Sequence, residues 1–377
     1  MFFLLSLVSS PCTCHARTSP FSCTNPNNSS ITWQEFETFR DATRGNVVEG
    51  ISELKKYFNR FGYLESKTDA NSTDLFDGEL ENAITRYQQK FGLSISGKLD
   101  SRTLSKLISP RCGMPDIVPD SGKLSQTTQK YTYFIGRPRW GRSIPMTLTY
   151  AISPTNIITY LSMQDMKATF ERAFSHWASV IPVTFAESED YGFADIKIGF
   201  YSGDHGDGEA FDGVLGVLAH AFSPEIGRLH LDTAETWAVD FRVEKSDVAV
   251  DLESVVTHEI GHLLGLAHSG VIESVMYPSL KPREKKVDLR VDDIKGVQAL
   301  YGSNPNFSFQ SFYESEMASN DGVCTRLFGG KIVRFSTVVW VYCLVVNVIY
   351  RNQLKIHFFW LDLTPGRGTY ALYVIFD

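Results

Sequence analysis

Three histidines and one glutamate lie within a single short string of this chain, His258-Glu259-Ile260-Gly261-His262-Leu263-Leu264-Gly265-Leu266-Ala267-His268. Histidines four apart on a helix project from one face, a turn apart, so His258 and His262 can reach one metal ion. Glu259 sits beside them as a base for a metal-activated water. His268 follows too closely to stay on the same helical face. The chain must turn between, and Gly265 permits the positive φ that a sharp turn needs. Three imidazoles leave a fourth position open, which is the arrangement of catalytic rather than structural zinc.

Two more sets have metal chemistry. His205 and Asp207, with His220 and His230 on successive expected strands, make a closed four-ligand shell of the structural type. Asp212, Gly213, Asp232 and Glu235 offer oxygen ligands that suit calcium, although a Gly- and Asp-rich surface loop would read the same way. Cys112 stands in Pro110-Arg111-Cys112-Gly113-Met114-Pro115-Asp116. A thiolate binds zinc well, so this cysteine can fill the open position and keep water out. The plain alternative is a buried or oxidised cysteine.

Downstream of the histidines comes Ser274-Val275-Met276-Tyr277-Pro278. With this segment the pattern resembles the metzincins, and within them it is similar to the matrixins, or matrix metalloproteinases, of the short plant type. The resemblance spans about Val48 to Tyr301. It implies a latent zinc endopeptidase of α+β fold, with a twisted five-stranded sheet and three helices behind a small helical prodomain of peptidoglycan-binding-like fold. It implies two zinc ions per chain and calcium. Met276 would form an apolar floor under the catalytic zinc, Cys112 would be the switch, and the His205, Asp207, His220 and His230 set would hold the structural zinc. An extended peptide would pair with the edge strand Val214 to Phe222, at Leu218 and Ala219. Val255 and Pro278 would line the pocket for the residue after the cut. The His220 to His230 connection is shorter than in animal matrixins, so Asp195 is not assigned to calcium.

These sites need elements to hold them. From Trp33 to Leu107 apolar residues recur at helical spacing: Val48 to Phe61 stopped by Gly62, Leu80 to Phe91 stopped by Gly92, and Asp100 to Ile108 before Pro110. Residues 117–130 form a polar linker suited to cleavage by an activating protease. From Tyr131 the pattern turns mixed. Strands are expected at Thr147–Ile152, Val183–Phe185, Ala194–Tyr201, Val214–Phe222 and Arg228–Asp232. Helices are expected at Gln164–Val180, Leu252–Gly265 and Val291–Tyr301, the last capped near Asp292. The domains are therefore a signal at 1–16, a prodomain at 33–116, the linker, a catalytic domain at 131–302 and a tail at 303–377.

The remaining features concern compartment and class. The apolar start MFFLLSLVSS reads as a secretory signal, and Asn28, Asn71 and Asn306 each open a glycosylation sequon. Of six cysteines only Cys112 lies between Cys23 and Cys324, so no disulfide staples the centre. A net charge of −7 without a basic block argues against nucleic-acid binding. The apolar run Phe335–Tyr350 is short of the ~20 residues of a spanning helix. It leaves a lipid-anchor (GPI) signal, a membrane segment or an altered gene model open. The 76 residues after Tyr301 are too few for a four-bladed propeller. A zinc hydrolase of esters or single amino acids would share the His-Glu-His helix but need neither switch nor edge strand. A non-catalytic binding module would be expected to lack Glu259.

Overall fold

The computed structural model describes residues 32–65, 73–117 and 131–313, and the backbone of 356–364 and 369–376. The signal at 1–16, the sequons at Asn28 and Asn71, almost all of the linker and the run Phe335–Tyr350 lie outside the described residues.

The first region is helical for the reasons its sequence offers. After a 3-10 turn at Trp33–Phe39 come α1 (Ile51–Arg60), α2 (Gly78–Lys90) and α3 (Ser101–Leu107). Asp77 and Asp100 cap α2 and α3 by accepting from the backbone N–H groups of Leu80 and Thr103. Gly62 and Gly92 end the first two runs with φ of +83° and +63°. Tyr57, Phe58, Phe61, Tyr63 and Tyr87 meet largely edge to face in one core. Lys55 is fully buried and pairs with Asp77 at 2.6 Å, which offsets its desolvation.

The chain then forms β1 (Arg111–Cys112) and enters the mixed region. In order this holds β2 (Thr132–Tyr133), β3 (Met146–Ile152), α4 (Met163–Ala178), β4 (Val183–Glu187), β5 (Ile196–Tyr201), β6 (Val217–Ala221), β7 (Arg228–Asp232), β8 (Trp237–Ala238), β9 (Val250–Asp251), α5 (Leu252–Leu263), β10 (Leu266–Ala267) and α6 (Val291–Tyr301). The main sheet runs β1-β6-β7-β5-β3-β4, antiparallel only between β6 and β7. Five of its six strands, β3 to β7, come from the mixed region. The sixth, β1, comes from the first region.

Helix α4 buries Met166, Phe170, Phe174 and Trp177 on the predicted face, and the Trp177 indole donates to the carbonyl of Thr257 in α5 at 2.8 Å. All twelve residues of α5 are buried. An all-buried helix that carries two histidines and a glutamate must give them polar work.

Most expected boundaries move by a residue or a few, and two of the shifts have a visible cause. The edge strand begins at Val217, not Val214. Residues before it turn away, with Gly213 and Leu215 at φ of +95° and +61°, because Glu235 and Asp212 capture the N–H groups of Leu215 and Val217, each at 2.7 Å. The cap of α6 is at Arg290 rather than Asp292, since the Asp293 carboxylate reaches back to the Arg290 N–H at 2.8 Å. Residues 308–377 form a separate unit, in which β11 (Ile356–Thr364) and β12 (Thr369–Phe376) pair antiparallel. No helix among the described residues is long and apolar enough to cross a membrane.

Candidate active site

Helix α5 carries His258 and His262 on one face, and the turn after it brings His268 round to them. Gly265 makes that turn at φ +101°, and a Cβ there would strike the Pro138 carbonyl. Each ring is fixed from behind. The Nδ1 of His258 lies 2.7 Å from the Val275 carbonyl, that of His262 2.8 Å from the Leu266 carbonyl, and that of His268 2.8 Å from the Asp116 carboxylate. A carbonyl or carboxylate can only accept, so each Nδ1 carries the proton and each Nε2 presents a lone pair. The Nε2 atoms of His258 and His268 are buried with no hydrogen-bond partner.

Cys112 completes this set. Its Sγ lies 3.4 Å from His262 Nε2, and Cys112, His258, His262 and His268 bring ligand atoms within 4.8 Å of one another. Burial pushes the thiol and the Glu259 carboxyl up, the latter to about 8, and pushes the imidazoles down. Both oxygens of Glu259 are buried without a partner. A divalent cation here would satisfy the orphaned nitrogens and draw negative charge onto sulfur and carboxylate. The donor set therefore fits zinc.

Met276 lies under α5, 1% exposed. Its sulfur packs against Gly261 so closely that a Cβ on that residue would collide with it. No local pattern in the sequence marks this need for glycine inside the histidine helix.

The Cys112 segment is clamped from both sides. Arg111 and Cys112 pair in parallel with β6, opposite Val217 and Ala219, and Gly113 donates to the Ala219 carbonyl at 2.8 Å. On the other wall Cys112 donates to the Pro278 carbonyl at 2.9 Å. The segment thus occupies the edge where a peptide was expected to pair. Leu218, Val255 and Pro278 line a cavity of about 20 Å³ beside Cys112 and Glu259, room for about one water. Ala219 contributes its backbone rather than the cavity wall. Arg111 and Asp116 form a buried pair at 2.6 Å, with the Arg111 guanidinium 3.6 Å from the centroid of the Phe61 ring. Burial alone would raise Asp116, but Arg111 and His268 hold it well below the carboxylate range.

The second histidine set also converges. Asp207 Oδ2 lies 2.8 Å from His205 Nε2, 2.8 Å from His220 Nε2 and 2.7 Å from His230 Nδ1. His205 Nδ1 faces the Gly203 carbonyl at 3.0 Å, so its Nε2 meets the carboxylate as a second acceptor. Burial drives His220 down to about 4, against its gaining the proton that would relieve this. A cation resolves the conflict, and the set fits zinc.

The oxygen set is looser. Asp232 accepts from the Gly213 N–H at 3.2 Å, and Glu235 keeps one buried oxygen without a partner. Burial and the neighbouring carboxylates push Glu235 up to about 8 and Asp232 to about 6. These crowded carboxylates suit a hard cation, but among the described residues only the two histidine sets bring side-chain ligands within 4.8 Å. Asp195 is committed elsewhere, to Arg142 and Thr149.

Comparison with known proteins agrees with this geometry. The Matrixin family pattern matches residues 139–302, and that of a peptidoglycan binding domain matches 48–107. The chain is 56% identical to Metalloendoproteinase 4-MMP of Arabidopsis thaliana, over 77% of this chain and 84% of that protein. This chain belongs to the matrixins. To Metalloendoproteinase 1-MMP of Arabidopsis thaliana the matrixin is 53% identical, over 82% of this chain and 85% of the other. To the Interstitial collagenase of Bos taurus it is 36% identical, over 71% of this chain and 53% of the collagenase. The protein is a metalloendopeptidase, and peptides are its substrates.

Proposed function

We propose that this matrixin is a secreted zinc endopeptidase held latent by its own prodomain, with Cys112 as the blocking ligand. The observation that carries the reading is the Cys112 thiol at 3.4 Å from His262 Nε2, inside a ring of three lone-pair-bearing nitrogens. His258, His262 and His268 would hold zinc, which supplies Lewis acidity to a water and to the scissile carbonyl. Glu259 takes the proton from that water and passes it to the leaving amine. Its buried carboxylate, with no hydrogen-bond partner, supports that role. Once residues 33–116 leave, the outer edge of β6 at Leu218 and Ala219 is free to pair with an extended peptide. Val255 and Pro278 then bound the pocket for the residue after the cut, and Met276 floors the metal. His205, Asp207, His220 and His230 would hold a second, structural zinc, and Asp212, Gly213, Asp232 and Glu235 a calcium ion.

Secretion through residues 1–16 and glycosylation belong to the same reading, and Asn306 is exposed. So does attachment of the tail to a membrane through a lipid-anchor signal. The alternatives, an esterase-like hydrolase or an inert binding module, leave the plugged peptide edge without a purpose. The test uses the purified precursor and a quenched peptide. Hydrolysis should be absent at first, appear when residues 117–130 are cut or a thiol reagent captures Cys112, and stop with a chelator. Chelator-resistant cleavage, or an ester hydrolysed in place of the peptide, would reject the proposal.

A further inference from the structure

Beside the plugged cleft, at the seam between the two regions, lies a second cavity of about 460 Å³. Its lining includes Arg102 and Lys106 of α3 and Lys281 and Lys286 from the segment after the active-site turn. Glu284 is the one carboxylate among the lining residues. Both inner lysines crowd one aromatic ring: Lys106 Nζ is 4.1 Å and Lys286 Nζ 5.1 Å from the centroid of Tyr277. Lys106 also lies 5.2 Å from the centroid of Phe91. The face of a tyrosine attracts a cation but does not cancel its charge. Among the described residues, none of these four cations makes an ion pair within 4.0 Å. The ammonium of Lys286 donates to the Ile272 carbonyl at 2.5 Å, and Lys106 has only the rings.

Four cations line one hollow, and the two half-buried ones, Lys106 and Lys286, repel one another where water screens less than it does around the exposed Arg102 and Lys281. Burial first, then Arg111, Lys286 and Lys281, push Lys106 down to about 7 against the pull of Asp116. Burial lowers Lys286 as well, with Glu284, Asp293 and Glu273 opposing it from farther off than an ion pair. A structural ion-pair network would carry matching carboxylates here, and this hollow has one. Ser101, Ser105 and Ser279 add hydroxyls to the wall, which suit the oxygens of a tetrahedral anion.

We propose that this cavity binds a multivalent oxyanion, the sulfate or phosphate type, between α3 and the segment holding Lys281 and Lys286, and that its occupancy clamps the prodomain in place. The site exists only in the precursor, because Arg102 and Lys106 leave with the prodomain. That last step rests on the reading of residues 33–116 as a removable prodomain. The volume exceeds one tetrahedral ion, so either a free ion with water or an ester on a larger sugar fits.

The test is calorimetric titration of the intact precursor with inorganic sulfate, and separately with a sulfated disaccharide, against chloride at equal ionic strength. Saturable binding is expected, weakened by about tenfold or more in Lys106→Gln, which loses one direct charge-assisted contact. The Lys281→Gln precursor provides the same reading from the other wall if Lys106→Gln misfolds. Tighter binding of the disaccharide identifies an ester ligand, and equal binding the free ion. The mature enzyme should give no saturable heat, and sulfate should slow release of activity by a thiol reagent in wild type but not in Lys106→Gln. Equal affinity in the variant, in the mature enzyme, or no saturable heat at all overturns the site, and an unchanged activation rate overturns the clamp. Binding is read without activity, so a precursor that proved active from the start would sink latency while leaving the titration to be judged by itself.

Discussion

Glu259 has two buried oxygens and no partner in the precursor, so its chemistry can be separated from its contribution to packing. Glu259→Gln keeps the shape and removes the base. The variant should retain its zinc, measured by atomic absorption, and lose about 10²–10⁴-fold in kcat against a quenched peptide. A zinc-replete variant of near-normal activity would reject the assignment. Asp116 makes the complementary case within the prodomain. It accepts from Tyr63, Arg111 and His268 at once. Asp116→Asn leaves the Arg111 guanidinium buried beside a neutral amide, and breaking a buried pair from one side costs about 3–5 kcal/mol. The precursor should therefore unfold at lower denaturant and activate faster with a thiol reagent, while an enzyme freed of residues 33–116, as the proposed activation requires, should be unchanged.

At the scale of elements, helix α5 is held at its start by charge. Near its start Glu253 meets Arg172 at 3.0 Å, His176 at 3.3 Å and Lys285 at 3.0 Å. Burial alone would raise this carboxyl, but His176, Lys285 and Arg172 bring it from its ordinary 4.5 down to about 2. A carboxyl depressed in the folded state adds stability above its unfolded pKa and loses it as pH falls through the folded value. Thermal unfolding of wild type should thus lose Tm between about pH 4.5 and pH 2 more steeply than Glu253→Gln. Parallel curves would show that the three cations do not stabilise this carboxylate. Strands β6 and β7 are joined by the other histidine set, with His220 opposite His230 across the pair. His220→Ala should reduce zinc from two equivalents to one and lower Tm, because a closed site couples metal binding to folding. A soluble variant with two equivalents and an unshifted Tm would remove the structural zinc.

At the scale of the whole molecule, the proposed latency is a matter of tethering. Cys112 is clamped between β6 and Pro278, so its thiol meets the three histidines at an effective concentration no free thiol reaches. Serine is a far poorer zinc ligand at neutral pH. The Cys112→Ser precursor should process itself without added activator while wild type stays silent, both followed by peptide cleavage with time. A serine variant as silent as wild type would mean that packing of α1, α2 and α3, rather than sulfur, blocks the cleft.

Local pattern was legible from the chain alone: which histidines gather into two sets, that Cys112 belongs beside one of them, the capped helices α2 and α3, and the buried face of α4. Each depends on residues close in sequence or on a period of 3.6 or 2, and such patterns persist whatever the remote surroundings. The partners across the molecule were not legible. Asp116 behind His268 joins residues 152 apart, Gly261 is required only because Met276 returns beneath it, and β1 is a strand only because β6 has a free edge. The edge strand is shorter than expected by three residues at its start and one at its end, and at the start the turn depends partly on Glu235, which captures the Leu215 N–H from twenty residues on. The cationic seam cavity is the extreme case, with Lys106 and Lys286 meeting on Tyr277 from separate domains. Such contacts are set by which surfaces the packed core brings together, and no local period records that.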